Sequence, residues 1–135
     1  MYGNPLALDA LDALLAREAR PASVVFNGDF QWFDREPGPF REVSERVFKH
    51  RAIRGNVETE FSAVDAAAGC GCAYPDGVGD EVVERSNTLE SALRLTARQF
   101  PDLAQRIAEL PMNLVAQVGN ARIAIVHGDG TSLAG

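Results

Sequence analysis

Apolar residues recur at helical spacing early in the chain, at Leu6, Leu8, Leu11, Leu14 and Leu15, with Asp9, Asp12, Arg17 and Glu18 between them. The pattern predicts a helix capped by Asn4, opened by Pro5 and followed by Pro21. Ser23-Val24-Val25-Phe26 is a short apolar run and predicts a buried strand, closed by Asn27-Gly28-Asp29. Residues 30–39 carry aromatics, Pro and Gly and predict a loop. Val43, Val47 and Phe48 share one side of a helix predicted over residues 40–50. Residues 51–54 then predict a short strand ended by Gly55-Asn56.

The second half is less regular at first. Residues 63–68 read as the tail of a short helix, and residues 69–79, with four glycines and Pro75, as a loop. Residues 80–100 predict a long helix with Val82, Val83, Leu89, Leu93 and Leu95 facing inward. Pro101 breaks it, and residues 102–110 predict another. Residues 112–118 and 121–126 flank Gly119-Asn120, a two-residue turn that tolerates positive φ, and so predict a hairpin. Early alternation of helix and strand with a late hairpin predicts an α/β fold, a mixed sheet with helices packed on its faces.

Composition narrows the class. A chain of 135 residues is long enough for one domain with a real core, here residues 1–135. Apolar content of 46% and charged content of 24% fit a soluble globular protein. A net charge of −6 with scattered Lys and Arg argues against a nucleic-acid surface, which needs clustered cations. Apolar runs fall short of the roughly 18 residues of a membrane span, and no charged-then-apolar leader is present. These features predict a cytoplasmic protein. Cys70 and Cys72 are too close for an ordinary structural disulfide and lack the usual zinc spacing. Their segment reads as small residues packing a tight loop, or as one wall of a substrate cleft.

Three blocks carry the candidate chemistry: Phe26-Asn27-Gly28-Asp29, Arg54-Gly55-Asn56-Val57-Glu58 and Ile125-Val126-His127-Gly128-Asp129. Each sets an oxygen or imidazole ligand on a glycine turn after a strand-like run, where α/β proteins build sites. Asp, Asn and His suit a divalent transition metal. Taken alone, Asp29 also fits a turn former or helix cap, and Glu58 a helix-start carboxylate. Trp32 and Phe33 fit a cleft wall or ordinary packing. His50 fits a helix end, and Ser132 fails the nucleophile-elbow pattern because Ala134 replaces its second glycine.

In this order the three blocks resemble the calcineurin-like metallophosphoesterases, a family holding two metal ions with Gly-Asp, Gly-Asn and His-Gly blocks. The resemblance spans Gly3 to Gly135. It implies a four-layer αββα sandwich with two mixed sheets face to face and helices outside. It implies that Asp29 bridges two metals, that Asn56 binds the second metal and contacts the substrate phosphate, and that His127 binds the second metal. Asn56 and His127 are thus the expected catalytic residues, and Asp29, Asn56 and His127 the metal ligands. The implied activity is hydrolysis of a small phosphate ester, monoester or diester, by a metal-activated hydroxide. Manganese, iron, nickel and zinc all suit such a site.

Three departures qualify the resemblance. The family opens with Asp-x-His-Gly-Asn, whereas this chain reads Met1-Tyr2-Gly3-Asn4, with Tyr2 at the His position. A Gly-His-x-His-like block is expected after the His-Gly strand, and the sequence stops at Gly135 before one. Val57 stands where many relatives carry a His that protonates the leaving group. The expectation is a sandwich incomplete at both ends, with impaired turnover and exposed strand edges that favour a homo-oligomer. The alternative is a non-catalytic metal- or partner-binding domain derived from the same fold.

Overall fold

A computed structural model describes residues 1–62, 74 and 77–129. Helix α1 (Pro5–Leu15) begins as its sequence dictates: the Asn4 side chain accepts a hydrogen bond from the Leu6 amide at 3.0 Å, and Pro5 fills the first turn. Only one face of the helix is covered. Leu8 is buried, while Leu6 and Leu14 are exposed. Arg46 fastens this helix to α2 (Pro37–Val47), reaching Asp9 and Asp12 at 2.8 Å each.

Strand β1 (Val25–Asn27) runs parallel to β2 (Arg51–Ile53), in register Val25↔Arg51, Phe26↔Ala52 and Asn27↔Ile53. Helix α2 forms the crossover between them. It buries Phe40, Val43, Ser44 and Val47, the spacing of one helical face. It starts three residues before the predicted Phe40, because Pro37 and Pro39 sit in a first turn where a missing N–H costs nothing. Helix α3 (Asn56–Ser62) follows β2 directly.

Helices α4 (Asp80–Ala97) and α5 (Pro101–Ala108) close the core with Leu93, Ala97 and Ile107. Phe40 stacks on Phe100 with centroids 5.7 Å apart and meets Phe61 edge-on. The inward face of α4 differs from the predicted one. Leu93 is buried and Val83 and Leu89 are half-buried, but Val82 and Leu95 are exposed. Glu90 and Arg94 turn inward instead as an ion pair, with Glu60 of α3 at 3.6 Å from Arg94. Burial of that pair is tolerable because each charge meets its opposite.

Strands β3 (Asn113–Val118) and β4 (Ala121–Val126) form the predicted hairpin around Gly119, whose φ is +58°. The α/β class therefore stands. Among the described residues the strands form two separate two-stranded sheets, one parallel and one antiparallel. Much of the hairpin is exposed, including Val115, Val118 and Ile123. The Arg54 amide ties β2 to its approach, donating to the Pro111 carbonyl at 3.0 Å. Residues 63–68, most of the 69–79 loop, Cys70, Cys72 and Ser132 lie outside the described residues. Among the described residues no helix is long and apolar enough to cross a membrane.

Asp34 is an anomaly of the core. It is 1% exposed, and its Oδ2 has no hydrogen-bond partner among the described residues. Burial, reinforced by the nearby Glu42 charge, pushes its carboxyl up to about 7. A carboxyl raised in the fold stabilises it below the unfolded value, and that contribution is lost as pH rises through the folded value. In metal-free buffer, Asp34→Asn should therefore flatten the fall in thermal midpoint between about pH 4 and pH 7, a term of up to about 4 kcal/mol. An unchanged pH profile would contradict this account of Asp34.

Candidate metal centre

The three sequence blocks arrive together at the carboxyl ends of β1, β2 and β4. Asp29 follows β1, Asn56 opens α3 after β2, and His127 follows β4. His127 Nε2 lies 3.3 Å from Asp29 Oδ2 and 3.1 Å from the Asn56 amide oxygen. The far ring nitrogen of His127, Nδ1, donates to the Asn27 carbonyl at 2.6 Å. This bond places the proton on Nδ1 and leaves the Nε2 lone pair facing Asp29 and Asn56. A backbone carbonyl behind a histidine is the usual device for orienting a metal ligand.

Two glycines allow this approach. A Cβ on Gly28 would lie 2.7 Å from His127 Nδ1 and 2.6 Å from the Gly55 nitrogen. A Cβ on Gly55 would collide with the Asp29 carboxylate and stand 2.9 Å from His127 Nε2. Gly28 also has φ +78°, and Asp29 after it holds the left-handed region at φ +53°. A non-glycine residue there is costly and needs restraint from its surroundings.

That restraint is a reciprocal clasp between the first two blocks. Glu58 Oε2 accepts hydrogen bonds from the amides of Asp29 at 2.7 Å and Gly55 at 2.9 Å. Its Oε1 accepts from the Gln31 amide at 3.1 Å. In return Asp29 Oδ1 accepts from the Val57 amide at 3.1 Å. Glu58 is fully buried, so these donors replace the water it has lost. Burial is still the largest influence and pushes its carboxyl up to about 7, the amides pulling down and the Asp29 charge pushing up. Asp29 is also raised by burial, against the Val57 amide and His127.

The Asn56 amide has two orientations, and they mean different things. With its oxygen inward, Asp29, Asn56 and His127 present carboxylate, amide and imidazole acceptors to one point. With its nitrogen inward, Asn56 donates to His127 Nε2 at 3.1 Å and to Asp29 Oδ2 at 3.1 Å. The second orientation supplies hydrogens between acceptors in the metal-free protein. The first needs a cation to hold the acceptors together. The mixed O,O,N donor set fits a borderline divalent metal.

The structure thus gathers Asp29, Asn56 and His127. Of the other candidates, Val57 is buried in the core, and its backbone amide donates to Asp29 Oδ1. His50 packs its ring on Phe26, with centroids 5.9 Å apart. Trp32 and Phe33 continue the Asp29 loop, Phe33 with φ +80° and its ring exposed. Among the described residues no group of three His, Cys, Asp or Glu side chains converges, and the third group beside Asp29 and His127 is the Asn56 amide. Sequence reasoning reads Glu58 as the acidic residue that closes the second block of the resembled family or as a helix-start carboxylate, and misses the clasp it makes with the Asp29, Gln31 and Gly55 amides. No family model matches the chain, and no curated protein or solved structure matches it either.

Proposed function

We propose that the chain is a metal-dependent phosphohydrolase of the metallophosphoesterase type, with the four-layer sandwich that resemblance implies. The observation that carries this reading is the meeting of Asp29, Asn56 and His127 from three separate strand ends. Asp29, the Asn56 oxygen and His127 Nε2 would hold the cation. A bound divalent ion would supply a Lewis acid that lowers the pKa of water and neutralises phosphoryl charge. The chain's own part is positional. The Asn27 carbonyl holds the His127 tautomer, and Glu58 fixes the Asp29 turn. Buried Val57 offers no proton to a leaving group, which favours esters with good leaving groups.

Calorimetric titration with Mn²⁺ or Zn²⁺ tests the reading directly. One ion should bind, and Asp29→Ala, Asn56→Ala and His127→Ala should each weaken binding at least about tenfold, as loss of a ligand shell contact does. Turnover of bis-p-nitrophenyl phosphate should be slow and should vanish in Asp29→Ala. Absence of divalent-ion binding, or binding indifferent to all three substitutions, would sink it.

The inward-nitrogen orientation of Asn56 favours a second reading, a non-catalytic domain derived from the same fold. There the three side chains form a self-sufficient hydrogen-bonded lock. In that case the substitutions lower the melting temperature without any metal effect.

A further inference from the structure

The loop that presents Asp29 continues into Trp32 and Phe33, which form one wall of a groove of about 360 Å³. Glu81, Arg85, Ser86 and Leu89 of α4 form the other. Phe33 is held with φ +80° and keeps 53% of its surface exposed. A bulky residue in that backbone region is strained, and its ring gains little burial in exchange. Hydrophobic packing alone therefore does not account for Phe33. Its ring instead stands next to Trp32, centroids 5.7 Å apart, and next to Tyr2 at 6.5 Å.

The opposite wall has a different character. Glu81 is an acceptor, Arg85 a donor and Ser86 both, and the apolar Val82 and Leu89 line the groove beside them. Arg85 makes no ion pair among the described residues. The Trp32 and Phe33 planes meet at 50°, so a planar heteroaromatic ring can stack on one of them and meet the other obliquely, with its own donors and acceptors turned to the polar residues of α4. The volume lies at the low end of ligand pockets, which run from roughly 300 to 1,000 Å³, and so has room for one such ring system.

We infer that this groove binds a nucleobase, stacked on the exposed Phe33 ring with Trp32 beside it and edge-bonded to Glu81, Arg85 and Ser86. Where the proposed phosphoesterase reading holds, the base belongs to the substrate's alcohol side, and the substrate is a nucleotide ester. The inference rests on that reading only for the identity of what the base is attached to.

Trp32 is the chain's single tryptophan, so its emission reports on the groove. The test is titration of the full chain with adenosine, AMP and ribose 5-phosphate in excess EDTA, following Trp32 fluorescence excited at its red edge. Adenosine and AMP should quench saturably and ribose 5-phosphate should not. Phe33→Ala should weaken adenosine about tenfold, within the range for loss of one stacking partner. Arg85→Ala, on an exposed helix face, keeps the test valid where Phe33→Ala fails to fold, and should weaken adenosine several-fold. Absence of saturable quenching by adenosine, or quenching indifferent to both substitutions, overturns the inference. Metal binding without adenosine binding defeats the groove alone. Adenosine binding without metal binding leaves the groove standing and defeats the phosphoesterase reading.

Discussion

Gly55→Ala is expected to abolish divalent-metal binding and to cost about 1–3 kcal/mol of stability, the range for a methyl group forced into a packed site. The new methyl would collide with the Asp29 carboxylate, with the Asp29 nitrogen 2.8 Å away and His127 Nε2 2.9 Å away. None of these is the free end of a flexible side chain. Asp29 is pinned by Glu58 and Val57, and His127 by the Asn27 carbonyl. Relief therefore has to separate the candidate ligands. Gly38→Ala in α2 is the control, since nothing lies within 4 Å of a Cβ there. Calorimetric titration and thermal melts on the pair check the prediction. Wild-type Mn²⁺ affinity in Gly55→Ala would show that the three blocks do not act as one site.

Glu58→Ala should be the most destabilising single change, by about 3 kcal/mol or more. It leaves the amides of Asp29, Gln31 and Gly55 without their acceptor, and each buried orphan costs about 1–3 kcal/mol. Glu58→Gln keeps one acceptor oxygen but turns an NH₂ toward an amide donor, so it should fall between wild type and Ala. Denaturant midpoints of the three proteins check this order. Metal affinity should fall in the same order, because the clasp restrains Asp29 at φ +53°. Equal stability of wild type and Glu58→Gln would mean that the carboxylate does not serve all three donors.

The elements that sequence reasoning finds are those with local causes. Asn4 caps α1 and Pro5 opens it, Pro101 separates α4 from α5, and Gly119-Asn120 closes the hairpin as expected. The three blocks are legible because each glycine turn follows its strand immediately. Helix α3 is legible only in part: residues 63–68 read as the tail of a short helix and Glu58 as a helix-start carboxylate, but Gly55-Asn56 looks like a turn. The side chain that accepts from the first-turn Val57 amide is Asp29, 28 residues away. The inward face of α4 is misread at Val82 and Leu95, since Glu90 and Arg94 are buried as a pair and hydropathy counts both as surface. The role of Glu58 is invisible for a related reason. Its partners Asp29 and Gln31 lie 29 and 27 residues away, and hydrogen bonds to backbone amides leave no signature in residue type.

The hairpin places the site under a constraint of chain order. Asp29 and Val57 are 28 residues apart and joined through one βαβ crossover, whereas His127 reaches Asn27 across 100 residues. The entropy of loop closure grows with separation, so the nearer contact is the cheaper to form. During synthesis the Glu58 clasp can set while the hairpin is still unmade. His127 then docks on a prepared surface, and the last side chain to arrive is the one whose Nε2 meets both Asp29 and Asn56.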